Sequence, residues 1–597
     1  MSTSIEVHKK SVKELLSEGK DLPFVIPEYQ RPYAWGDEEI QTLFDDLWEF
    51  TTTGSGGSES NGTYFLGTIV AYENEDHEQE IIDGQQRITS LFLLLRAIYT
   101  MLSTPEEKTK EAKNFMAQIE PAIWRTNKLT GEVDYSSILL TSKVMNNEGN
   151  EVLRNLLETG EAAANAKDNY SLNYKKFQEL LEKAASSNAL MMYEFIYAIL
   201  NQAIILPITA DSQDTALTIF STLNNRGLQL SDADIFKAKI YNHLSDSDKP
   251  AFIETWKELD DKASGAGESI QQLFYYYMFY LRAIEGDSKT TTPGVRKYYA
   301  GKDNKFKKLY DDALMNNLSI IVNLWSVVNK HREIEGEQWS KNTEIKRSLD
   351  ILNSYPNEFW KYPVVIYYLV HRNNTDFEQT FAAFLKKLVV ELLTEYLVTP
   401  TVNAVKTEIM KLNAEVINSA KPKFGFKALD LKGYEERIKV PHSKAVRMLL
   451  KILAYDQQDD LLPDKWEIEH ILPQKWQSAY FLTESDVTIK EKIEHIGNKL
   501  PFEKKLNIIA GNGYFDKKKK EYAESKIAIT KSMASVASHD WKLEQISERD
   551  IRVSDAIITI LKNWDAEYSA SLSGASEEQP TPEQLAFLKE AKAKGWI

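Results

Sequence analysis

Apolar residues recur along this chain in two rhythms, and the rhythm changes along its length. Short apolar runs bounded by Pro, Gly or polar residues occur at Phe24-Val25-Ile26, Tyr64 to Tyr72, Glu80-Ile81-Ile82 and Ala203 to Ile208. Their length and β-branched content predict strands, the first stopped by Pro27. Helical spacing appears at Ile40, Leu43, Phe44 and Leu47, predicting a helix capped by Asp37. It returns at Leu91, Phe92, Leu95, Ile98 and Leu102, predicting a helix over 88–102. Residues 5–20 predict a short helix, and long helices are expected onward to about 200. Thr215 to Leu223 and Ser231 to Leu244 predict helices around the turn Asn224-Asn225-Arg226-Gly227. From about 246 to 430 nearly everything is helical in pattern. Leu273 to Leu281 is apolar on every side, which predicts a core helix ahead of a base-stacking surface. From about 431 shorter segments predict a compact α/β unit.

A chain of 597 residues exceeds one hydrophobic core, so about three domains are expected. The pattern divides them as 1–245, α/β; 246–430, helical; and 431–567, α/β, followed by a linker and terminal helix over 568–597. The fold class is therefore multidomain, predominantly α with α/β parts. Thr51 to Thr63 predicts a flexible loop. No apolar run reaches the roughly 20 residues of a membrane span. The N-terminus shows no apolar signal region, so a cytoplasmic location is expected. The sequence has no cysteine, which excludes disulfides, iron–sulfur sites and thiol catalysis.

The formal net charge is −16. A nucleic acid must therefore meet a local basic surface on an acidic body. Lys499, Lys504, Lys505, the run Lys517 to Lys520 and Lys526 offer one. Lys499, Lys505, Lys517 and Lys518 are the expected DNA contacts. A lysine run is also what an ordinary solvated helix face carries.

Two segments carry chemistry. In Ile81-Ile82-Asp83-Gly84-Gln85-Gln86-Arg87 a glycine turns the chain from strand to helix. The helix start presents free N–H groups and a positive dipole end, which suit an anion. Arg87 adds a planar donor for phosphate. Gln85 and Gln86 can orient a water or hold a ribose, and Asp83 can hold a divalent metal. The same residues also describe a capped helix with a surface arginine.

Three separated segments occur in order: Ile26 to Trp35 (IPEYQRPYAW), Asp83 to Arg87, and Phe220 to Gly227 with Leu230, Ser231 and Lys237. Over about residues 10–245 this resembles the ParB/sulfiredoxin-like NTPase domain of GmrSD-type restriction enzymes. The resemblance implies a nucleotide pocket lined by Gln30, Arg31, Asp83, Gly84, Gln85, Gln86 and Arg87, with Asn225 and Arg226 as further contacts. Gly227 also reads as a helix cap. Tyr29, Tyr33 and Trp35 are expected to pack beneath the turn.

The second segment is Glu469-His470-Ile471-Leu472-Pro473, followed by Gly497-Asn498-Lys499 and Asn507. Cutting a phosphodiester needs a base for water and a cation for the developing charge. His470 suits the base. Glu469 and Asn507 offer oxygen ligands for Mg²⁺ or Mn²⁺. Asn498 can hold the loop that aims His470, and His495 reads as structural.

With Tyr514-Phe515, the lysine run, Trp541, Ile546 and Arg549, residues 435–565 resemble the HNH (ββα-metal) nuclease domain found C-terminal in GmrSD-type enzymes. Glu469 stands where the broader pattern commonly has Asp. The resemblance implies a nucleotide-regulated endonuclease that cleaves modified phage double-stranded DNA in host defence. It would bind GTP or ATP, require Mg²⁺ or Mn²⁺, and possess the capacity to form a homo-oligomer. An RNA-cleaving toxin and a nucleotide-switched DNA adaptor with a silent nuclease are the alternatives.

Overall fold

A mixed seven-stranded sheet organises the first of two compact units, Met1–Ile253. The structure is a computed structural model. It describes residues 6–7, 9–127, 129–144, 147–188, 191–223, 232–301, 304–401, 403–426, 433–477, 480–481 and 483–573. The expected turn with Asn225 and Arg226, and residues 574–597 of the expected linker and terminal helix, lie outside the described residues; 568–573, expected as the start of the linker, instead continue the helix Leu543–Ser573.

The strands of this unit are β1 (Glu6–Val7), β2 (Lys10–Ser11), β3 (Phe24–Ile26), β4 (Tyr64–Glu73), β5 (Gln79–Asp83), β6 (Trp124–Thr126), β7 (Val133–Ile138), β8 (Leu140–Ser142) and β9 (Ala203–Ala210). The sheet runs β1-β9-β4-β5-β3-β8, and β2 also pairs with β9. β4 pairs parallel with β9 and antiparallel with β5, while β3 pairs parallel with both β5 and β8. Four strands fall where the apolar runs predicted them: β3, β4, β5 and β9.

Three expectations change. The described residues between 6 and 20 form two short strands, Glu6–Val7 and Lys10–Ser11, then a helix over only Val12–Ser17 capped by Ser11, then a 3₁₀ turn. The stretch to residue 200 is broken by β8 and by the β6–β7 hairpin, whose second strand is mostly polar and so lacks apolar alternation. The helix Asp37–Thr52 is capped by Gly36, whose N–H donates to Glu39 Oε2 at 2.9 Å, so Asp37 is the first helical residue.

The helix Gln85–Ser103 leaves β5 and runs through the core. Leu91 to Leu95 are all 0% exposed, because helices Lys110–Ile123 and Asn169–Ser187 cover the faces that the sheet does not. A smaller apolar cluster gathers Tyr29, Val70, Ile82, Ile208 and Phe220, with Ala238 of the helix Asp232–His243.

The second unit, Glu254–Ile597, is mainly helical. The aromatic helix Ile270–Ile284 is buried over nearly its whole circumference, with Tyr276 stacked on Trp325 at 5.0 Å. An antiparallel hairpin interrupts the helices: β10 (Trp466–His470) pairs with β11 (Lys499–Glu503), placing His470 opposite Lys499. Helices Lys504–Ala510 and Phe515–Ala523 follow at once. The helix Leu543–Ser573 packs against Phe377–Val398 and against the short turn Ile496–Asn498. Among the described residues no helix is long and apolar enough to cross a membrane.

Candidate functional sites

At the end of β5 the chain turns through Gly84, at φ 89°. A Cβ there would lie 2.7 Å from Ile69 Cγ1 and 3.2 Å from Thr68 O, so only glycine lets the turn sit this close to β4. Ile88 N–H is the first in the helix to find an intrahelical acceptor, Gly84 O at 2.9 Å. The N–H groups of the preceding turn head the helix as a partial positive charge.

Arg87 leans back over β4, donating from Nη1 to Thr68 O at 2.9 Å. Its guanidinium fits because position 67 is glycine: a Cβ on Gly67 would come within 3.0 Å of it. Gly67 has φ 113° and lies at a register shift in β4. Burial pushes the Asp83 carboxyl above its ordinary pKa, against the pull of the Gly84 N–H, Arg87 and Arg31. Arg31, Asp83 and Arg87 thus act electrostatically on one place, beside Gly84 and Gln85.

Two predicted site residues have their amides engaged within the protein. Gln86 Oε1 accepts from Ala34 N at 2.7 Å and Trp35 N at 3.1 Å, while Nε2 donates to Pro32 O at 3.2 Å. Gln30 Nε2 donates to Ile82 O at 3.1 Å. Both strap the 30–35 segment to the turn. Tyr29 and Tyr33 are buried, and Tyr33 shares a hydrogen bond with Ser90 Oγ at 2.6 Å.

At the second site Glu469 and His470 end β10 on opposite faces, as strand alternation requires. Glu469 is buried, and its Oε1 accepts from Lys518 Nζ at 2.6 Å and Tyr522 OH at 2.8 Å. Lys518 Nζ also donates to His470 O at 2.6 Å. The His470 ring is partly buried, and burial pushes its pKa down to about 4; Lys499 and Lys518 act in the same direction and Glu494 opposes them. Glu494 Oε1 lies 3.7 Å from His470 Nε2.

Asn498 is 0% exposed. Its Oδ1 accepts from Leu472 N at 2.7 Å, and its Nδ2 donates to Leu472 O and Ile493 O, each at 3.0 Å. Asn507 stands on the helix Lys504–Ala510, where Nδ2 donates to Glu467 Oε2 at 3.3 Å. The structure thus joins Asn507 to Glu467, two residues before Glu469 on the same strand face. Strand period alone, in Glu467-Ile468-Glu469, was the signal for Glu467. Among the described residues no three His, Asp or Glu side chains gather as a metal cluster.

Two of the lysines expected at DNA lie inside the protein. Lys518, expected at DNA, is 1% exposed and neutralises Glu469. Lys499 is 4% exposed and donates to Glu494 Oε2 at 2.7 Å and Glu494 O at 2.8 Å. Apolar packing on helix Phe515–Ala523 turns one lysine of the run inward, which a contiguous run in sequence conceals. Lys505 and Lys517 remain exposed.

Residues from the helix Leu543–Ser573 complete the surroundings. Arg549 Nη1 donates to the carbonyls of Ile496, Gly497 and Lys499 at 2.9–3.1 Å. Asp550 accepts from Gly497 N at 2.8 Å and pairs with His495 Nδ1 at 2.6 Å. A Cβ at Gly497 would lie 2.3 Å from Ile546 O. A separate cavity of about 780 Å³, lined by Glu337, Asn342, Arg372, Asp376, Glu378 and Glu567 among others, contains none of the predicted site residues.

Residues 12–241 match the family described as GmrSD restriction endonuclease, N-terminal domain, and 425–553 match GmrSD restriction endonucleases, C-terminal domain. The chain belongs to the GmrSD restriction endonuclease family. The Gly84 turn falls in the first matched region and the β10–β11 hairpin in the second. An uncharacterized protein of Methanocaldococcus jannaschii is 23% identical over 269 residues, which cover 39% of this chain and 42% of that protein. The match therefore spans about two-fifths of that relative's length.

Proposed function

We propose that this GmrSD-family chain is a DNA endonuclease of restriction, cutting at the β10 hairpin under the control of a nucleotide held at the Gly84 turn. The observation that carries the reading is the end of β10, where a partly buried histidine leads into a loop held by a wholly buried asparagine, in the family's C-terminal domain. Burial keeps His470 neutral near pH 7, so it can take a proton from an attacking water. Glu494 is near enough to steady the imidazolium that forms. Asn498 acts through the loop, locking Leu472 and thereby the exit from β10. Lys518 anchors the His470 backbone.

The half-exposed Glu467 and Asn507 offer hard oxygen donors that fit Mg²⁺ or Mn²⁺, with Glu469 a weaker donor because Lys518 already neutralises it. When bound, such a cation supplies positive charge for the phosphate and the leaving oxygen.

At the Gly84 turn the helix N-terminus, Arg31 and Arg87 receive the phosphates of GTP or ATP. Gln30 and Gln86 support that pocket by holding the 30–35 segment. The helices of 246–430 carry the nucleotide's effect to the nuclease, and modified phage DNA is the substrate that spares the host's own.

The test is cleavage by the purified chain of unmodified duplex DNA, modified duplex DNA and RNA, with and without GTP or ATP, and with Mg²⁺, Mn²⁺ or excess EDTA. Metal-dependent cutting of modified duplex that responds to nucleotide is expected. Cutting in EDTA would remove the metal assignment, and RNA cleavage alone would replace DNA as substrate.

A further inference from the structure

The helix Lys504–Ala510 lies against the β10–β11 hairpin and the helix Phe515–Ala523, and buries only Ala510. Its open side ends in Ile508 and Ile509, which are 68% and 55% exposed. Among the described residues they are the only large exposed hydrophobics adjacent in sequence. Gly511, at φ 51°, ends the helix immediately afterwards, so the pair stands at a corner of the chain. Two β-branched side chains held in water forgo the burial that drives folding.

Their surroundings are cationic. Between 504 and 520 five lysines besides the buried Lys518 stand against one aspartate, in a chain of net charge −16. Lys504 pairs with Glu467 and Lys519 with Asp516. Lys505, Lys517 and Lys520 are exposed, with no carboxylate partner among the described residues. Two isoleucines are too little apolar surface for a stable protein interface, which buries about 800 Å² per partner. They are enough for a wedge at one base step, the way architectural proteins unstack and kink a duplex. Asn507, the residue before the pair, belongs to the candidate cutting site.

We propose that Ile508 and Ile509 form an apolar wedge that enters the minor groove of duplex DNA beside the cut phosphate and opens a base step, while Lys505, Lys517 and Lys520 hold the flanking phosphates. This rests on the nuclease reading above and names how that site grips its substrate.

The experiment compares the full chain with I508A/I509A, in Ca²⁺ to hold cleavage, on a duplex carrying 2-aminopurine. Wild type should raise the 2-aminopurine fluorescence. The double variant should lose that rise and bind about tenfold more weakly, with an unchanged salt slope because every lysine that meets a phosphate is still present. Both side chains are exposed, so the thermal transition should stay where it is. Equal fluorescence and affinity in the variant, with wild type still cutting, would overturn the wedge and leave the nuclease reading standing. A wild-type chain that neither binds nor cuts duplex DNA would end both. A wild-type dimer that the variant dissolves, read by sedimentation, would overturn the wedge by assigning the pair to a second copy of the chain.

Discussion

Lys518 and Glu469 form a buried ion pair at 2.6 Å, with side chains only 1% and 5% exposed, one residue from the candidate base. The same ammonium donates to the His470 carbonyl. Truncating one partner strands the other charge out of water. Lys518→Met should therefore cost about 3–5 kcal/mol in urea unfolding of the full chain. Adding Glu469→Gln should recover part of the loss, since it removes the stranded charge. A single variant as stable as wild type would show that the pair contributes nothing.

His470→Ala should lower cutting by about 10²–10⁴-fold while leaving nucleotide turnover and thermal stability close to wild type. The ring's polar contacts are long, Gln474 Nε2 at 3.5 Å and Glu494 Oε1 at 3.7 Å, and its backbone carbonyl, which Lys518 uses, survives the change. Cutting at the wild-type rate would move the active site elsewhere.

Arg87→Ala should weaken nucleotide binding by roughly 1.5–3 kcal/mol, the worth of a charged hydrogen bond, measured by titration calorimetry. Gly67→Ala should act in the same direction, because its Cβ would press on the guanidinium at 3.0 Å and its φ of 113° disfavours any side chain. Unchanged affinity in both variants would take the nucleotide away from this turn.

Replacing Lys505, Lys517 and Lys520 with Gln should reduce the log–log salt slope of DNA binding by about 0.9 for each phosphate that is no longer neutralised. The effect should be alike for all sequences, since these side chains meet charge and not bases. Lys518 is left out of this set because its ammonium is inside the protein. A triple variant with the wild-type slope would place the DNA on another surface.

His371 gives a pH test that does not involve cutting. It is 0% exposed, its Nε2 lies 2.7 Å from Val416 O, and burial pushes its pKa below the ordinary value. Below about pH 6.5 the unfolded chain takes up a proton that the folded chain refuses. Stability should then fall as pH drops from about 6.5 toward the lower folded value, by up to roughly 1.4 kcal/mol per pH unit from this group. His371→Gln should flatten that part of the curve by one proton, and an unchanged slope would show that His371 does not titrate with unfolding.

The strands β3, β4, β5 and β9 and the helix after Gly84 were legible because each carries an apolar run or an apolar periodicity bounded by polar residues, Gly or Pro. β1, β2, β6 and β8 are only two or three residues long, and β7 is mostly polar, so no periodicity announces them. At the hairpin, Asn498 was legible as a loop-holding residue beside the Glu469-His470 pair. What escaped was partnership: nothing in a run of four lysines says which one is inside, and the Glu467–Asn507 bond joins residues 40 apart. Gly67 escaped for the same reason, as its role is defined by a guanidinium that arrives from another element.

The helix Leu543–Ser573 is 31 residues long and is held by different partners at its two ends. Near its start Arg549 and Asp550 grip the Gly497 turn. Near its end Asp565 and Glu567 pair with Lys387 and Lys386 of the helix Phe377–Val398. At 1.5 Å per residue it is a rod of about 46 Å. Gly497 meets it with no clearance for even a methyl group, so the turn has no slack with which to absorb a shift. One continuous helix thus joins the Gly497–Asn498 turn to the lysine–carboxylate pairs near residue 565, and the two places share a single rigid support.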